Sequence, residues 1–184
     1  YKGGESALPG FSNPIKLASN ENPLGTSESV KAAYREAAEK LWLYPDGGAT
    51  KLREAIARRY GLDPARIVCG IGSGEILAML VRAYVSAGDE VVQNQYAFSL
   101  YRIYSQVAGA IVRSAPDRGL TADADAMLAE TGEKTKLVFL ANPNNPTGTY
   151  MPIDEVRRLA GGLPPQALLV LDAAYAEYVR RDDY

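Results

Sequence analysis

Apolar positions recur along the chain with two different periods, and the period changes near residue 67. Before that point the spacing is helical, and it predicts one helix that begins near Ser27 and a second that ends at Gly61. The two apolar faces consist of Val30, Ala33, Tyr34, Ala37 and Leu41, and of Leu52, Ile56 and Tyr60. The segment Tyr44-Pro45-Asp46-Gly47-Gly48 separates the helices, and the glycine- and proline-rich residues 1–25 predict an irregular amino-terminal arm.

From Ile67 onward, short apolar runs alternate with helical patterns. The predicted strands cover residues 67–71, 90–92, 110–112, 137–141 and 168–171. The predicted helices cover residues 75–86, 100–108, 123–130 and 153–160. This alternation predicts an α/β layered fold with a mostly parallel sheet, in which ligands bind at the carboxyl ends of the strands.

Composition narrows the chemistry that this fold can support. The chain has 184 residues, 47% of them hydrophobic, and a net charge of -2, so it can bury one sizeable core and shows no basic patch for nucleic acid or a membrane surface. A single cysteine, Cys69, excludes an intrachain disulfide and fits a reducing cytoplasm. The absence of histidine excludes Ser-His-Asp and Cys-His catalysis and imidazole metal sites. Carboxylates, tyrosines, lysines, backbone donors or a bound cofactor remain.

A glycine-rich segment, Gly70-Ile71-Gly72-Ser73-Gly74-Glu75, follows the first predicted strand and opens a helix. Small residues permit a tight turn, and the free N–H groups of a helix start can bind a phosphate, with the Ser73 hydroxyl as an added donor. An ordinary turn capped by Ser73 explains the pattern equally well. It is not a nucleotide P-loop, because the Gly-Lys-Ser/Thr ending is missing.

Two further motifs follow the last two predicted strands. Asn142-Pro143-Asn144-Asn145-Pro146-Thr147-Gly148 is a loop restricted by two prolines, in which Asn145 offers both an amide donor and an acceptor. Asp172 ends an apolar strand, where a carboxylate either caps a helix or binds a cation, and Tyr175 is close enough in sequence to reach the same ligand. The asparagine loop could equally be structural, since Asn, Pro and Gly dominate ordinary turns.

Taken together, Asn142–Gly148 and Asp172–Tyr175 resemble the class I/II aminotransferases of fold type I, which depend on pyridoxal 5'-phosphate. The stretch Leu17–Gly25, followed by Tyr44-Pro45-Asp46, resembles in particular the histidinol-phosphate aminotransferase family. The resemblance runs from about Leu8 to Tyr184. It implies a three-layer sandwich, with residues 26–184 as the first part of the cofactor-binding large domain, residues 1–25 as an arm and substrate-entrance segment, and a homodimer.

The resemblance also implies a role for each matching residue. It implies two catalytic residues in this chain, Asp172 and Tyr175. Asp172 pairs with the protonated pyridine nitrogen. Tyr175 and Asn145 hydrogen-bond the phenolic oxygen of the cofactor ring. Phe98 stacks on the ring at a position where many relatives have tyrosine.

Further residues are implied at the edges of the site. Ser73 and Gly74 offer backbone donors to the cofactor phosphate, although relatives often carry Ala-Asp there. Tyr44 reaches the phosphate in the neighbouring subunit, or else is a buried aromatic residue that closes a turn. Glu21 and Asn22 lie near the substrate entrance, or else belong to an arm that simply docks on the surface.

The implied reaction transfers the amino group of L-histidinol phosphate to 2-oxoglutarate, giving imidazole-acetol phosphate and L-glutamate in histidine biosynthesis. It needs a lysine that bonds to the cofactor and shuttles a proton, which in the family lies past the Asp-x-x-Tyr element and beyond Tyr184. We therefore expect this chain alone to be inactive. An aromatic or broad-specificity aminotransferase and a phosphothreonine decarboxylase of the same fold remain alternatives, as does a non-catalytic half-domain that binds a phosphate ligand or a partner chain.

Overall fold

A computed structural model describes residues 9–12, 15 and 19–184 of the chain. The chain divides into two compact units, Tyr1–Ile67 and Val68–Tyr184. Much of the predicted arm lies outside the described residues, including Leu17 of the stretch that carries the family resemblance. The predicted boundary of the arm at residue 25 therefore stays a prediction.

The first unit contains two helices, α1 (Glu28–Ala38) and α2 (Thr50–Tyr60), as predicted. Ser27 is the N-cap of α1, and its hydroxyl oxygen accepts a hydrogen bond from the Val30 N–H at 3.4 Å. Gly61 is the C-cap of α2 and has a φ of 67°, a left-handed conformation that glycine adopts without strain. Both ends are thus set by local sequence, which explains why the pattern located them.

Most of the apolar side chains in this unit are exposed. Ala57 is the one helical residue of α1 and α2 that is buried, whereas Trp42 is 82% exposed and Tyr44 is 97% exposed. The apolar face predicted for α1 is also exposed at Val30 and Tyr34. Several large apolar residues of this unit therefore lie at its surface and not in a core.

The second unit contains a parallel four-stranded sheet with the order β2-β1-β3-β4. The strands are β1 (Glu90–Asn94), β2 (Ile111–Ala115), β3 (Thr135–Ala141) and β4 (Leu168–Asp172). The helices are α3 (Gly72–Tyr84), α4 (Ser99–Val107), α5 (Ala124–Ala129) and α6 (Ile153–Gly162). The predicted α/β fold with a parallel sheet is confirmed. Among the described residues, no helix has the length and apolar composition needed to cross a membrane.

Helices cover both faces of the sheet, so the unit has three layers. One apolar cluster joins α3 and α4 to the sheet through Leu77, Val81, Tyr101, Val91, Leu137 and Phe139. The other joins α5 and α6 to the opposite face through Met127, Val156, Leu159, Val92, Val138 and Leu140. Successive strand residues alternate between these clusters, as the period of a strand requires. Each fully buried side chain of this kind contributes about 1.5–3 kcal/mol.

The strand predicted at residues 67–71 is wrong. Residues 67–70 are irregular and lead directly into α3, while Val68 is 71% exposed and Ile71 is 90% exposed. A strand exists only when a neighbour supplies hydrogen bonds, and none of the four described strands pairs with this segment. The other predicted elements differ from the observed ones by a few residues at their ends.

The order of the strands opens a crevice at one end of the sheet. The connection that leaves β1 runs through α4 to β2, at one edge of the sheet. The connection that leaves β3 runs through α6 to β4, at the opposite edge. Because these two connections diverge, the carboxyl ends of β1 and β3 flank a gap, which is the usual ligand position in open α/β sheets.

Candidate functional site

An open cleft of about 290 Å³ lies at the carboxyl ends of the strands. Five of the residues singled out in the sequence line it together: Ser73, Phe98, Asn145, Asp172 and Tyr175. Ala141, Pro143 and Ala174 complete its wall. Segments far apart in the sequence thus meet at one place, with an aromatic ring and several polar side chains facing the same space. Of the other predicted residues, Gly74 follows Ser73 in α3, while Tyr44, Glu21 and Asn22 belong to the other unit.

Asp172 occupies the last position of β4 and is held there by both its main chain and its side chain. Its carbonyl oxygen accepts a hydrogen bond from the Asn142 N–H at 2.9 Å, which continues the β3–β4 ladder. One carboxylate oxygen, Oδ2, accepts from the Tyr101 hydroxyl at 2.8 Å, and the other, Oδ1, accepts from the Ala174 N–H at 3.2 Å. The next helical turn, Ala176–Tyr178, has Tyr175 as its N-cap, so Asp172 is not a helix cap.

Tyr101 is a residue of this site that the sequence reading missed. Its side chain is 0% exposed, and its ring stacks on Phe139 with 4.6 Å between centroids and meets Phe98 edge-on at 5.7 Å. Burial raises the pKa of the Tyr101 phenol well above its usual range, and the charge and hydrogen bond of Asp172 raise it further. The hydroxyl therefore keeps its proton and acts as a donor to Asp172.

The three asparagines of the loop that follows β3 have different structural positions. The Asn142 amide is bonded in both directions to the main chain of Met151, donating to its carbonyl at 2.9 Å and accepting from its N–H at 2.7 Å. The Asn144 amide donates to the Tyr96 carbonyl at 3.0 Å. Both residues are buried, whereas Asn145 lines the cleft. The first two asparagines fix the loop, and the third faces the cleft.

The last described residues brace the same loop. The Tyr184 hydroxyl donates to the Asn142 carbonyl at 2.6 Å, and the Ile153 N–H donates to the Asp183 carbonyl at 2.8 Å. The Tyr150 hydroxyl donates to the Asp183 carboxylate at 2.6 Å, and this bond, together with the Arg181 guanidinium, lowers the Asp183 pKa. The sequence held no motif for this bracing, because none of these residues belongs to a recognisable pattern.

The start of α3 supplies the fourth side of the cleft. Gly72 has a φ of 72°, and its N–H donates to the Gly70 carbonyl at 2.9 Å. Ile71, the N-cap, has no side-chain acceptor, so the N–H groups of Ser73 and Gly74 remain available to a ligand. The Glu75 carboxylate folds back to the Ile71 N–H at 2.7 Å. A Cβ added at Gly74 would lie 3.5 Å from its nearest neighbours, an ordinary contact, so packing does not require glycine there.

A parallel α/β unit with an acidic strand end, a rigid polar loop and an open helix start is the arrangement of domains that bind small ligands at the carboxyl ends of their strands. Comparison with known families makes this more specific. The model of the family described as aminotransferase class I and II matches residues 12–183. The chain belongs to this family.

Individual relatives narrow the comparison. The histidinol-phosphate aminotransferases of Maricaulis maris and Rhodospirillum rubrum are 58% and 56% identical over 184 residues, which is all of this chain and 51% and 50% of theirs. The chain thus spans about half the length of the curated relatives it matches.

Solved structures agree with the fold. A crystal structure of histidinol-phosphate aminotransferase from Sinorhizobium meliloti, in complex with pyridoxal-5'-phosphate, is 36% identical with a TM-score of 0.86 over 90% of this chain and 45% of that one. An aspartate aminotransferase from Thermus thermophilus is 27% identical with a TM-score of 0.75, over 84% of this chain and 44% of that one. The fold is that of a fold-type I aminotransferase, as the sequence motifs predicted.

Proposed function

We propose that this chain is the cofactor-binding half of an enzyme that transfers the amino group of L-histidinol phosphate to 2-oxoglutarate, using pyridoxal 5'-phosphate. The observation that carries the proposal is the convergence of Phe98, Asn145, Asp172 and Tyr175 on one cleft beside the start of α3. The choice of substrate rests on relatives of 51–58% identity that are named histidinol-phosphate aminotransferases.

The residues of the cleft fit this cofactor group by group. A face of Phe98 suits an aromatic ring, and the Asp172 carboxylate suits a cationic ring nitrogen. Asn145 and Tyr175 suit the phenolic oxygen, and the N–H groups of Ser73 and Gly74 suit a phosphate dianion at a helix N-terminus. When bound, pyridoxal 5'-phosphate supplies an electron sink for the carbanion of an amino substrate.

In this proposal, each residue has one physical task. Asp172 keeps the proton on the ring nitrogen, because an adjacent negative charge favours the cationic form. Tyr175 and Asn145 fix the orientation of the ring, while Phe98 covers one of its faces. Since Phe98 lacks a hydroxyl, it contributes stacking only, unlike the tyrosine of many relatives.

The lysine that bonds to the cofactor is expected outside these 184 residues. The cleft is lined by no lysine among the described residues, and the lysines of the chain lie elsewhere in its sequence. We place this lysine, and the arginines for the phosphate and the substrate carboxylate, in the part of the protein that corresponds to the unmatched half of the relatives. The 184-residue chain alone is then inactive.

We also propose that the whole protein is a cytoplasmic homodimer, and the exposed aromatic residues of the other unit fit a dimer interface. Tyr44, with its side chain 97% exposed, is free of the chain's own core and could extend to the cofactor phosphate of a partner subunit. Glu21 and Asn22 remain candidates for the substrate entrance. This assignment predicts that Tyr44→Phe weakens cofactor binding only in the dimer.

The test uses protein expressed from its complete coding sequence and supplied with pyridoxal 5'-phosphate. The purified protein should be yellow, its visible absorbance band should shift on addition of L-histidinol phosphate, and turnover of that substrate should exceed turnover of phenylalanine and phosphothreonine. Faster turnover of either competitor would replace the substrate assignment. A colourless protein that ignores added cofactor would remove the proposal.

A further inference from the structure

We propose that Tyr101 is a positioning residue for this site: its hydroxyl holds the Asp172 carboxylate in the orientation that pairs with the ring nitrogen of bound pyridoxal 5'-phosphate. The inference rests on the proposed function and deepens it. It concerns a residue of α4 that does not line the cleft itself and that acts through Asp172.

The position of the Tyr101 hydroxyl is fixed by its surroundings. The ring has no exposed surface, lies nearly parallel to Phe139 with 7° between the planes, and meets Phe98 at 88°. A ring held on two sides cannot swing away, so its hydroxyl stays at one place at the end of the sheet. The 2.8 Å bond to Asp172 is therefore built into the core and does not depend on a mobile surface side chain.

Packing does not account for the hydroxyl. Phenylalanine would make the same ring contacts and would avoid burying a polar group, which is unfavourable unless it is hydrogen-bonded. The bond to Asp172 is the reason a tyrosine is tolerated in this core. Since Asp172 stands at the edge of the cleft, the bond links the interior directly to the ligand space.

The hydrogen bond from the Ala174 N–H cannot by itself fix the orientation of the Asp172 carboxylate. The Ala174 N–H reaches Oδ1 at 3.2 Å and belongs to the turn that follows β4, whereas Tyr101 approaches Oδ2 from the layer of α4. Two donors on different oxygens define the plane of the carboxylate, and one donor leaves it free to rotate. Tyr101 also touches Phe98, so one buried ring supports both the stacking surface and the partner of the ring nitrogen.

The experiment compares two cofactors in the protein expressed from its complete coding sequence. Pyridoxal 5'-phosphate and its 1-deaza analogue, in which a carbon replaces the ring nitrogen, are titrated into apoprotein, and their dissociation constants are measured by absorbance and fluorescence. Tyr101→Phe should weaken the binding of pyridoxal 5'-phosphate by about tenfold, the change in affinity that roughly 1.4 kcal/mol produces. The dissociation constant of the analogue should stay within about twofold of its wild-type value.

Tyr104→Phe is the matched control, because it removes a hydroxyl from the same helix. That hydroxyl lies near the start of α3, 3.5 Å from the position of a Cβ at Gly74, so any contact with the phosphate would affect both cofactors equally. The dissociation constant of the analogue divided by that of pyridoxal 5'-phosphate should therefore keep its wild-type value in Tyr104→Phe. The same ratio should fall in Tyr101→Phe.

Equal weakening of both cofactors by Tyr101→Phe, or no weakening of either, would overturn the inference. If that variant does not fold, 4-fluorophenylalanine at position 101 fills the space of the hydroxyl without donating a proton, and the same pattern is expected. The outcomes separate the two proposals. Wild-type protein that fails to bind pyridoxal 5'-phosphate contradicts the proposed function, whereas a wild type that binds it and a variant with unchanged preference contradict only the role of Tyr101.

Discussion

Replacing Asp172 by asparagine should separate the charge of this residue from its place in the fold. Asparagine has nearly the same shape and keeps one oxygen, which can accept from the buried Tyr101 hydroxyl, while the exposed Ala174 N–H loses its side-chain acceptor. What disappears is the negative charge beside the ring nitrogen. Hydrogen bonds to charged groups contribute about 1.5–3 kcal/mol, so the affinity for pyridoxal 5'-phosphate should fall by about 10- to 150-fold.

Asp172→Ala provides the contrast that makes this result interpretable. Alanine leaves the Tyr101 hydroxyl, which is 0% exposed, without its acceptor, and an unpaired buried polar group costs about 1–3 kcal/mol. For a protein of this size or larger, that cost lowers the melting temperature by about 2–10 °C. The alanine apoprotein should therefore melt earlier than wild type, while the asparagine apoprotein should melt within a few degrees of it.

The assay pairs an absorbance titration with cofactor and a thermal melt of the apoprotein, for wild type and both variants, each expressed from its complete coding sequence. Asparagine should lose affinity without losing stability, and alanine should lose both. An Asp172→Asn protein that binds the cofactor as tightly as wild type and turns over at the same rate would refute the role given to this carboxylate. The cleft would then need another explanation.

Three further predictions concern the elements around the site and the first unit. Asn142→Ala removes two buried hydrogen bonds to the Met151 main chain and should lower the free energy of unfolding by about 2–4 kcal/mol in urea titrations; a loss below about 0.5 kcal/mol would contradict the bracing. Gly61→Ala places a side chain at a φ of 67° with open space around it, so it should cost about 1–2 kcal/mol from backbone strain alone, while Gly47→Ala, which has neither strain nor contacts, should be neutral. The Asp46 pKa is lowered, mainly by hydrogen bonds from Thr50, so the stabilisation by this carboxylate is present above its ordinary pKa of 3.8 and is lost as the pH falls through the lower folded value. The difference in urea midpoint between wild type and Asp46→Ala should accordingly shrink below pH 3.8, and a constant difference would count against it.

Local elements were predictable from the sequence wherever local chemistry determines them. Ser27 caps a helix and Gly61 ends one because each does so through its own side chain or backbone freedom. The strand predicted at residues 67–71 was wrong for the opposite reason. Its composition suits a strand, but a strand needs hydrogen bonds from a neighbour, and the pattern within the segment says nothing about that neighbour.

The candidate site was predictable in part. Asn145, Asp172 and Tyr175 stand in strings that resemble a family motif, and they do line the cleft. The different roles of Asn142 and Asn144 could not be predicted from the sequence, because three asparagines in one loop have the same chemistry until their neighbours are known.

The contact between Tyr101 and Asp172 shows what kind of information was missing. Side chains of a strand alternate between its faces, so Asp172 lies on the same face of the sheet as Val170, and Val170 packs against the cluster that contains α3 and α4. The register pairs Asp172 with Ala141, another residue of that cluster. A shift of one residue would turn the carboxylate toward α5 and α6, away from its donor. Given the strand and its register, the alternation of side chains decides which face of the sheet Asp172 occupies. This predicts its contact with Tyr101 only if it is also known that α4 covers that face. Which face α4 covers depends on the direction in which each crossover connection moves across the parallel sheet, from β1 to β2 through α4 and oppositely from β3 to β4 through α6, a property of the whole unit that no segment of the sequence contains.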